Sequence, residues 1–316
     1  MRVIAMTDFD SGVSLGELPT PEPTSNELLV RVQASSVNGM DVGIAGGLLR
    51  GWMEYDFPVV LGRDFAGVVE GVGADTSRYR LGDEVIGFVF KPVLHDGTWA
   101  DYVLTPQDGY LASKPASLDF GQAAALPLAG SAALLAVDAV EPSEGASLLV
   151  VGAGGGVGSY AVQLAATRGA HVIATARPGD EQRLRALGAA ETIDFTTNDV
   201  AAMVRERHPN GVHALIDTAS QADAFAGLAE VVRGDGRVAS TLGAADIEKL
   251  AARGVTATNV GAASDPGAVA RVAELADTGQ LIVPVDSVLP MTQAPAAIEQ
   301  FAAGKRGKII IAVTER

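Results

Sequence analysis

The stretch SLLVVGAGGGVGSYAVQLA, from Ser147 to Ala165, constrains this chain more than any other. An unbroken apolar run, SLLVV, ends in a glycine cluster. The cluster leads directly into a segment whose Val157, Ala161, Leu164 and Ala165 share one helical face. Strand, tight turn and helix in immediate succession make half of a βαβ unit, which calls for a parallel sheet. In the dinucleotide fingerprint, one position makes the tight turn, one lets backbone approach a pyrophosphate, and one lets the helix press on the sheet. Ala153, Gly155 and Gly158 stand in those places, with Gly156 and Val157 between the last two. The unpaired amides and dipole at a helix start favour an anion there. A glycine turn used only for packing is the alternative, and the agreement of strand, spacing and helix speaks against it.

The next discriminator lies at the end of the second strand, where an acidic side chain would bind the 2'-hydroxyl of NAD. The chain has Ala174, Thr175, Ala176 and Arg177 there. With no carboxylate to repel a 2'-phosphate and a guanidinium to pair with it, NADP(H) is the expected cofactor. A solvent-directed Arg177 is the alternative. Asp180 and Glu181 are assigned to the first turn of the following helix.

From Ser147 onward the pattern repeats as βα units: SLLVV, HVIATA, AETIDF, HALIDTA, GRVAST and VTATNV, with helices between them. Six such strands predict a doubly wound parallel sheet, an α/β fold. The first 120 residues differ. ELLVRVQASSV, PVVLGRDFAGVVEGVG, GDEVIGFV and TWADYVLTP are short β-rich runs broken by turn residues, and they predict an all-β lobe. At Ser117, read as a helix cap, the pattern turns to alanine and leucine, interrupted by Pro127 and Gly130, and predicts two short helices. The tail, with a helix in PGAVARVAELADTG and an apolar run in KIIIAV, could close the parallel sheet or return to the first lobe.

Charge and composition exclude several functions. The formal net charge of -15, without a basic run, removes the attraction on which nucleic-acid binding depends. Cysteine is absent, so disulfides, thiolate zinc ligands and cysteine nucleophiles are excluded. His95, His171, His208 and His213 form no metal motif, and no metal is expected. The acidic amino terminus does not resemble a secretion signal, and glycine interrupts the longest uncharged stretch, so a cytoplasmic protein with no membrane partner is expected.

Taken together, LGRDFAGVVEGVG, LGDEVIGF, ALPLAGSAALLA, GAGGGVGSYAVQLA, LGAAETIDF and GKRGKIII resemble the medium-chain dehydrogenase/reductase superfamily, in particular its zinc-independent quinone oxidoreductases. The resemblance implies a GroES-like catalytic domain of residues 1–120 and 265–316, a Rossmann NADP-binding domain of residues 121–264, and often a homodimer. Zinc-dependent relatives carry Gly-His-Glu where this chain has Gly62, Arg63 and Asp64. By similarity, Asn38 and Asp41 of SVNGMD match an Asn-x-x-Asp stretch. That places Asn38 near the nicotinamide ribose or the substrate oxygen, where its amide could donate to developing charge, with a loop cap as the alternative role. Asp41 is assigned a structural part. Cofactor contacts carry over to Asp217, Thr218 and Ala219 and to Leu242 and Gly243. Two departures stand out: Ser131-Ala132-Ala133 replaces Leu-Thr-Ala, and Phe195 replaces a tyrosine able to reach the 2'-phosphate.

The implied reaction is NADPH-dependent hydride transfer to a small-molecule acceptor, a quinone or similar conjugated carbonyl. An enal or enone double-bond reductase and an NADPH-binding regulatory protein without turnover are the rivals. Tyr55, the candidate catalytic proton donor, joins Trp52, Arg63 and Lys91 as possible cleft residues, each with an alternative as surface or packing.

Overall fold

The computed structural model describes residues 1–314. Two compact units emerge: Met1–Leu128 together with Asp265–Gly279 and the segment from Val285 onward, and Ala129–Ser264 together with Gln280–Pro284.

The first unit is built mainly on antiparallel strands, with Val285–Pro290 joining Lys308–Ala312 in parallel. Its main sheet runs Leu111–Ser113, Glu84–Phe88, Asp64–Val72, Glu27–Ser36, Lys308–Ala312 and Val285–Pro290, and Tyr102–Pro106 also pairs with Glu27–Ser36. Glu27–Ser36 alternates buried with half-buried residues, as a strand with one face on a core must. Leu28, Val30 and Val32 enter a cluster with Phe65, Val85, Trp99 and Ile309. The tail returns here: Ile310 lies opposite Ser36, antiparallel. This lobe is not purely β, because a short helix, Gly39–Ala45, follows Asn38. The alternation does not reveal Arg2–Met6 and Ser14–Glu17, which form a smaller sheet with Val59–Val60.

Two expectations for the stretch after residue 117 need correction. Asp119, not Ser117, caps the helix Phe120–Ala124, accepting from the Gln122 amide at 2.8 Å. Ser117 instead donates its backbone N–H to Asp277. The helix that begins at Pro127 continues to Val140. It is not short, because proline is tolerated in a first turn and one glycine costs a helix only ~1 kcal/mol.

The second unit is a six-stranded parallel sheet in the order Glu191–Asp194, His171–Ala176, Ser147–Val151, Val212–Asp217, Val232–Ser240 and Thr256–Asn259. All six predicted strands are present, in the doubly wound order. Ser147–Val151 is buried along its whole length, as a central strand covered on both faces should be. The order reverses between Ser147–Val151 and Val212–Asp217, so a crevice opens at their carboxyl ends, where ligands bind in such sheets. Among the described residues no helix is long and apolar enough to cross a membrane.

Candidate functional site

In the second unit, the strand Ser147–Val151 runs through Gly152–Gly155 into the helix Gly156–Thr167, whose N-cap is Gly155. Gly152 takes a positive φ of 77°, so the tight turn falls one residue before Ala153, which is buried. A side chain at 152 would meet Thr218 Oγ1 and approach Ala219 Cβ to 3.1 Å. At Gly158 a methyl group would drive into the Gly152 carbonyl oxygen and lie 2.7 Å from Ala153 Cα, so the helix presses here on the turn. At Gly155 it would meet only the Gly152 oxygen, at 3.3 Å. Gly156 begins the helix, and Val157 follows it in the first turn.

The flanking residues hold this loop in shape. Thr175 Oγ1 accepts from the Gly152 amide at 3.0 Å, so the hydroxyl of ATAR serves the turn itself. Ala176 is buried at the strand end, and Arg177 beyond it is exposed, its guanidinium carbon 5.9 Å from the centre of the Phe195 ring. On the neighbouring strand, Thr218 Oγ1 donates to Val151 O at 2.9 Å. Asp217 is buried, and its Oδ1 accepts from the Ala219 and Ser220 amides at 2.9 and 2.8 Å, so this carboxylate shapes its own turn. Leu242 is half exposed, and Gly243 has a φ of 72°. Ser131 is fully buried, and its hydroxyl has no hydrogen-bond partner among the described residues.

Arg183 belongs to the loop as well, although no sequence pattern marks it. Its Nη2 donates to Gly154 O at 3.1 Å, and its Nε lies 3.8 Å from Asp180 Oδ1. Its buried Nε and Nη1 have no hydrogen-bond partner among the described residues. The turn, the free amides of the helix start and this guanidinium fit a dinucleotide pyrophosphate, with Asp180 as the opposing charge.

The first unit holds a different kind of site, a buried set of charges. Asp64, Asp41, Arg63 and Lys308 are each no more than 1% exposed. Lys308 Nζ donates to Asn38 Oδ1 at 2.5 Å and to Asp64 Oδ2 at 3.3 Å, and Asn38 Nδ2 donates to that same Oδ2 at 2.8 Å. An ammonium only donates and a carboxylate only accepts, so these neighbours fix which way the amide faces. The Ser36 hydroxyl and the Leu128 amide complete the shell of Asp64, at 2.5 and 2.7 Å. By resemblance the Asn38 amide stands near the nicotinamide ribose or the substrate oxygen, free to donate there. Instead its oxygen and one N–H are committed to this network, and the remaining N–H faces Ser36 Oγ at a long 3.5 Å.

Asp41 Oδ2 accepts from the Asn38 amide at 2.7 Å in the first turn of the helix. Burial pushes its carboxyl up to about 7, against the attraction of Arg63, whose Nε lies 3.9 Å from Oδ1. Burial likewise lowers Lys308, against the pull of Asp64 and Asp41. Arg63 cannot be the cleft residue considered from sequence. Its Nη2 donates to Val60 O at 2.9 Å and Asp96 O at 2.8 Å inside the lobe. A guanidinium stands where the zinc-dependent pattern has histidine and offers no lone pair, so Gly62–Asp64 does not fit a zinc ion. Tyr55 packs against Phe9 and Phe57, and its hydroxyl reaches Ile44 O at 3.3 Å, while burial raises its pKa. Trp52 is 90% exposed, and Lys91 pairs with Asp96 at 2.6 Å.

Comparisons with known proteins agree with both units. Residues 24–116 match the alcohol dehydrogenase GroES-like domain, and residues 187–311 match the zinc-binding dehydrogenase family. The chain is 33% identical over 209 residues to a chloroplast envelope quinone oxidoreductase homolog of Arabidopsis thaliana, covering 64% of this chain and 61% of that one. A 2-methylene-furan-3-one reductase of Solanum lycopersicum is 33% identical over 205 residues, 62% of this chain and 52% of that one. The match thus spans about three fifths or less of each of these relatives. The solved quinone oxidoreductase from Coxiella burnetii superimposes with a TM-score of 0.90 at 28% identity, over 99% of both chains.

Proposed function

This chain belongs to the medium-chain dehydrogenase/reductase superfamily, and from that premise we propose that it is an NADPH-dependent, zinc-independent reductase of quinones or similar conjugated carbonyls. The observation that carries the reading is the strand–glycine–helix turn at the point where the sheet order reverses, closed so tightly at Gly158 that backbone alone can line it. A bound nicotinamide would supply the hydride; the remaining work falls to the chain. Backbone amides from Gly156 to Gly158, at the start of the helix, face the pyrophosphate. Thr175 and Thr218 keep the turn in register through their bonds to Gly152 and Val151. Arg177, exposed at the end of its strand with no acid beside it in ATAR, pairs with the 2'-phosphate.

Quinone oxygens tolerate negative charge, so transfer to them needs orientation more than a strong acid. In this reading Asn38 is oriented by Lys308 and Asp64, and its second N–H, held only by a long 3.5 Å contact to Ser36 Oγ, is the donor that turns to the acceptor oxygen. Zinc independence is supported by the missing cysteine and by the guanidinium of Arg63 filling its place in the lobe. The likeness to a 2-methylene-furan-3-one reductase favours a second reading, the reduction of an enone double bond, with the Tyr55 hydroxyl as proton donor.

The test is an acceptor panel of quinones and enones, followed by NADPH absorbance, with NADH in parallel and with chelator added. Turnover of quinones with NADPH, undiminished by chelator, is expected. Turnover of enones alone selects the second reading. Tight NADPH binding with no acceptor reduced overturns both.

A further inference from the structure

At the amino-terminal end of the parallel sheet, three side chains with metal-binding chemistry meet. His171 opens the strand His171–Ala176, Glu191 opens Glu191–Asp194, and His208 caps the carboxyl end of the helix Val200–Arg207. The two strands are parallel neighbours with Ile173 opposite Glu191, so His171 and Glu191 emerge at the same end of the sheet. Their sequence separations are 20 and 17 residues, which no local motif would reveal.

Glu191 Oε1 lies 2.7 Å from His171 Nε2 and 3.1 Å from His208 Nε2. All three ligand atoms fall within 4.8 Å of one another. Around a tetrahedral ion with bonds of about 2.1 Å, ligand atoms stand about 3.4 Å apart. The two nitrogen–oxygen pairs reach that spacing by opening about 0.7 Å at His171 and about 0.3 Å at His208, movements open to partly exposed side chains. We propose that His171, Glu191 and His208 bind a divalent first-row transition metal of the zinc type, with water completing its coordination.

Two further features bear on this site. The carboxyl end of a helix carries partial negative charge, and His208 places the ion there. Arg207 opposes it: its Nη1 lies 3.4 Å from Glu191 Oε2 and 3.3 Å from Thr192 O. That bond occupies the second carboxylate oxygen and leaves Oε1 as a single ligand. The nearby charge weakens the site relative to a closed structural one. Without an ion, each imidazole satisfies Oε1 by donating Nε2–H, so binding exchanges two hydrogen bonds for coordination and requires both nitrogens to be free of protons. The strand His171–Ala176 separates this end from the glycine loop by about 16 Å. The ion would therefore tie two strands and a helix together without touching the cofactor, and the inference stands apart from the proposed reaction.

The test uses the whole chain, stripped with chelator and dialysed, then titrated with Zn2+ by calorimetry and with Co2+ by visible absorption. One-to-one binding is expected, with the intense absorption of four-coordinate cobalt. Affinity should fall at least tenfold in H171Q and in H208Q and stay unchanged in H95Q. Zn2+ should raise the unfolding temperature of the wild type but of neither site variant. If H171Q or H208Q folds poorly, E191Q, which keeps a hydrogen-bonding group in place, carries the comparison. Absence of saturable binding, or equal binding by wild type and site variants, overturns the proposal.

Discussion

Adding one methyl group at each of three glycines separates what the loop does for the fold from what it does for a ligand. At Gly154 a Cβ meets Asp180 Oδ2 at 3.4 Å and Arg183 Nη2 at 3.5 Å, ordinary contacts, so G154A should change stability by no more than ~0.5 kcal/mol. At Gly155 its sole close neighbour is the Gly152 oxygen at 3.3 Å, which has to yield a few tenths of an ångström. G155A should therefore fold with a loss below ~1 kcal/mol, yet its methyl stands where a pyrophosphate would approach. At Gly158 the overlap is with fixed backbone, 2.7 Å from Ala153 Cα and closer still to the Gly152 oxygen. Overpacking of this severity costs about 3 kcal/mol, and the gain in helix propensity from glycine to alanine offsets about 1. The net ~2 kcal/mol corresponds to a fall in Tm of roughly 4–8 °C for a unit of this size. Thermal unfolding and NADPH fluorescence titration, run on all three, read the two effects separately. The expected ladder is G154A near wild type in both, G155A near wild type in Tm with at least tenfold weaker NADPH binding, and G158A unstable. A G158A protein within 1 °C of wild type would refute the steric argument. A G155A protein with unchanged affinity would refute the location of the pyrophosphate.

R177A should weaken NADPH binding at least tenfold more than NADH binding, measured as the ratio of the two dissociation constants; equal losses would remove the 2'-phosphate assignment. K308M leaves the Asp64 carboxylate buried without its cation and should cost ~3–5 kcal/mol in denaturant unfolding. D64N/K308M should recover much of that loss, whereas a K308M protein within ~1 kcal/mol of wild type would show that the pair is not coupled. Asp41 titrates near 7 in the folded chain against 3.8 for an unperturbed carboxyl, so its contribution to stability is full below about 4 and declines as pH rises through 7. The Tm of D41N should gain on that of wild type between pH 5 and pH 8, and a gap independent of pH would contradict the raised value.

The second unit was legible because its determinants are local. Apolar runs bounded by turn residues set six strands, and the glycines at 155 and 158 serve a turn whose partners lie within a few residues. A local miss in the loop, Gly152 rather than Ala153 as the residue with positive φ, concerns a position where only backbone geometry distinguishes neighbours. The buried charges were illegible for the opposite reason. Asn38, Asp64 and Lys308 come from three segments, with Lys308 separated from Asn38 by 270 residues, and the pairing of both Lys308–Ala312 and Asp64–Val72 with Glu27–Ser36 brings them together. A lysine in GKRGKIII reads as a surface charge until that strand is placed between others. Arg63 is a candidate cleft residue in sequence with surface or packing as its alternative, and burial decides for packing. Arg183 and the histidine pair fail for a related reason: their helical and strand-end positions look solvent-facing in sequence, and their meaning lies in what another element sets beside them.

The charge balance of the chain explains why its two units handle anions and charges so differently. With a net charge of -15, the long-range field repels a dinucleotide, and at physiological ionic strength that field is screened beyond about 8 Å. Attraction must therefore act at contact distance. Backbone amides meet this requirement best, because their partial charges are fixed by the helix start, need no counter-ion and cannot titrate. In the proposed reading two guanidiniums, Arg177 at the strand end and Arg183 beside Gly154, would supply the remaining positive charge, and Asp180 lies 3.8 Å from Arg183 Nε. In the other unit the charged groups are removed from solvent and set against one another, Asp41 and Asp64 against Arg63 and Lys308. Such a set adds little field at a distance, yet it holds Asn38 in a single orientation. A metal ion would achieve the same with greater strength, but it needs ligands with lone pairs, and Arg63 has none to give.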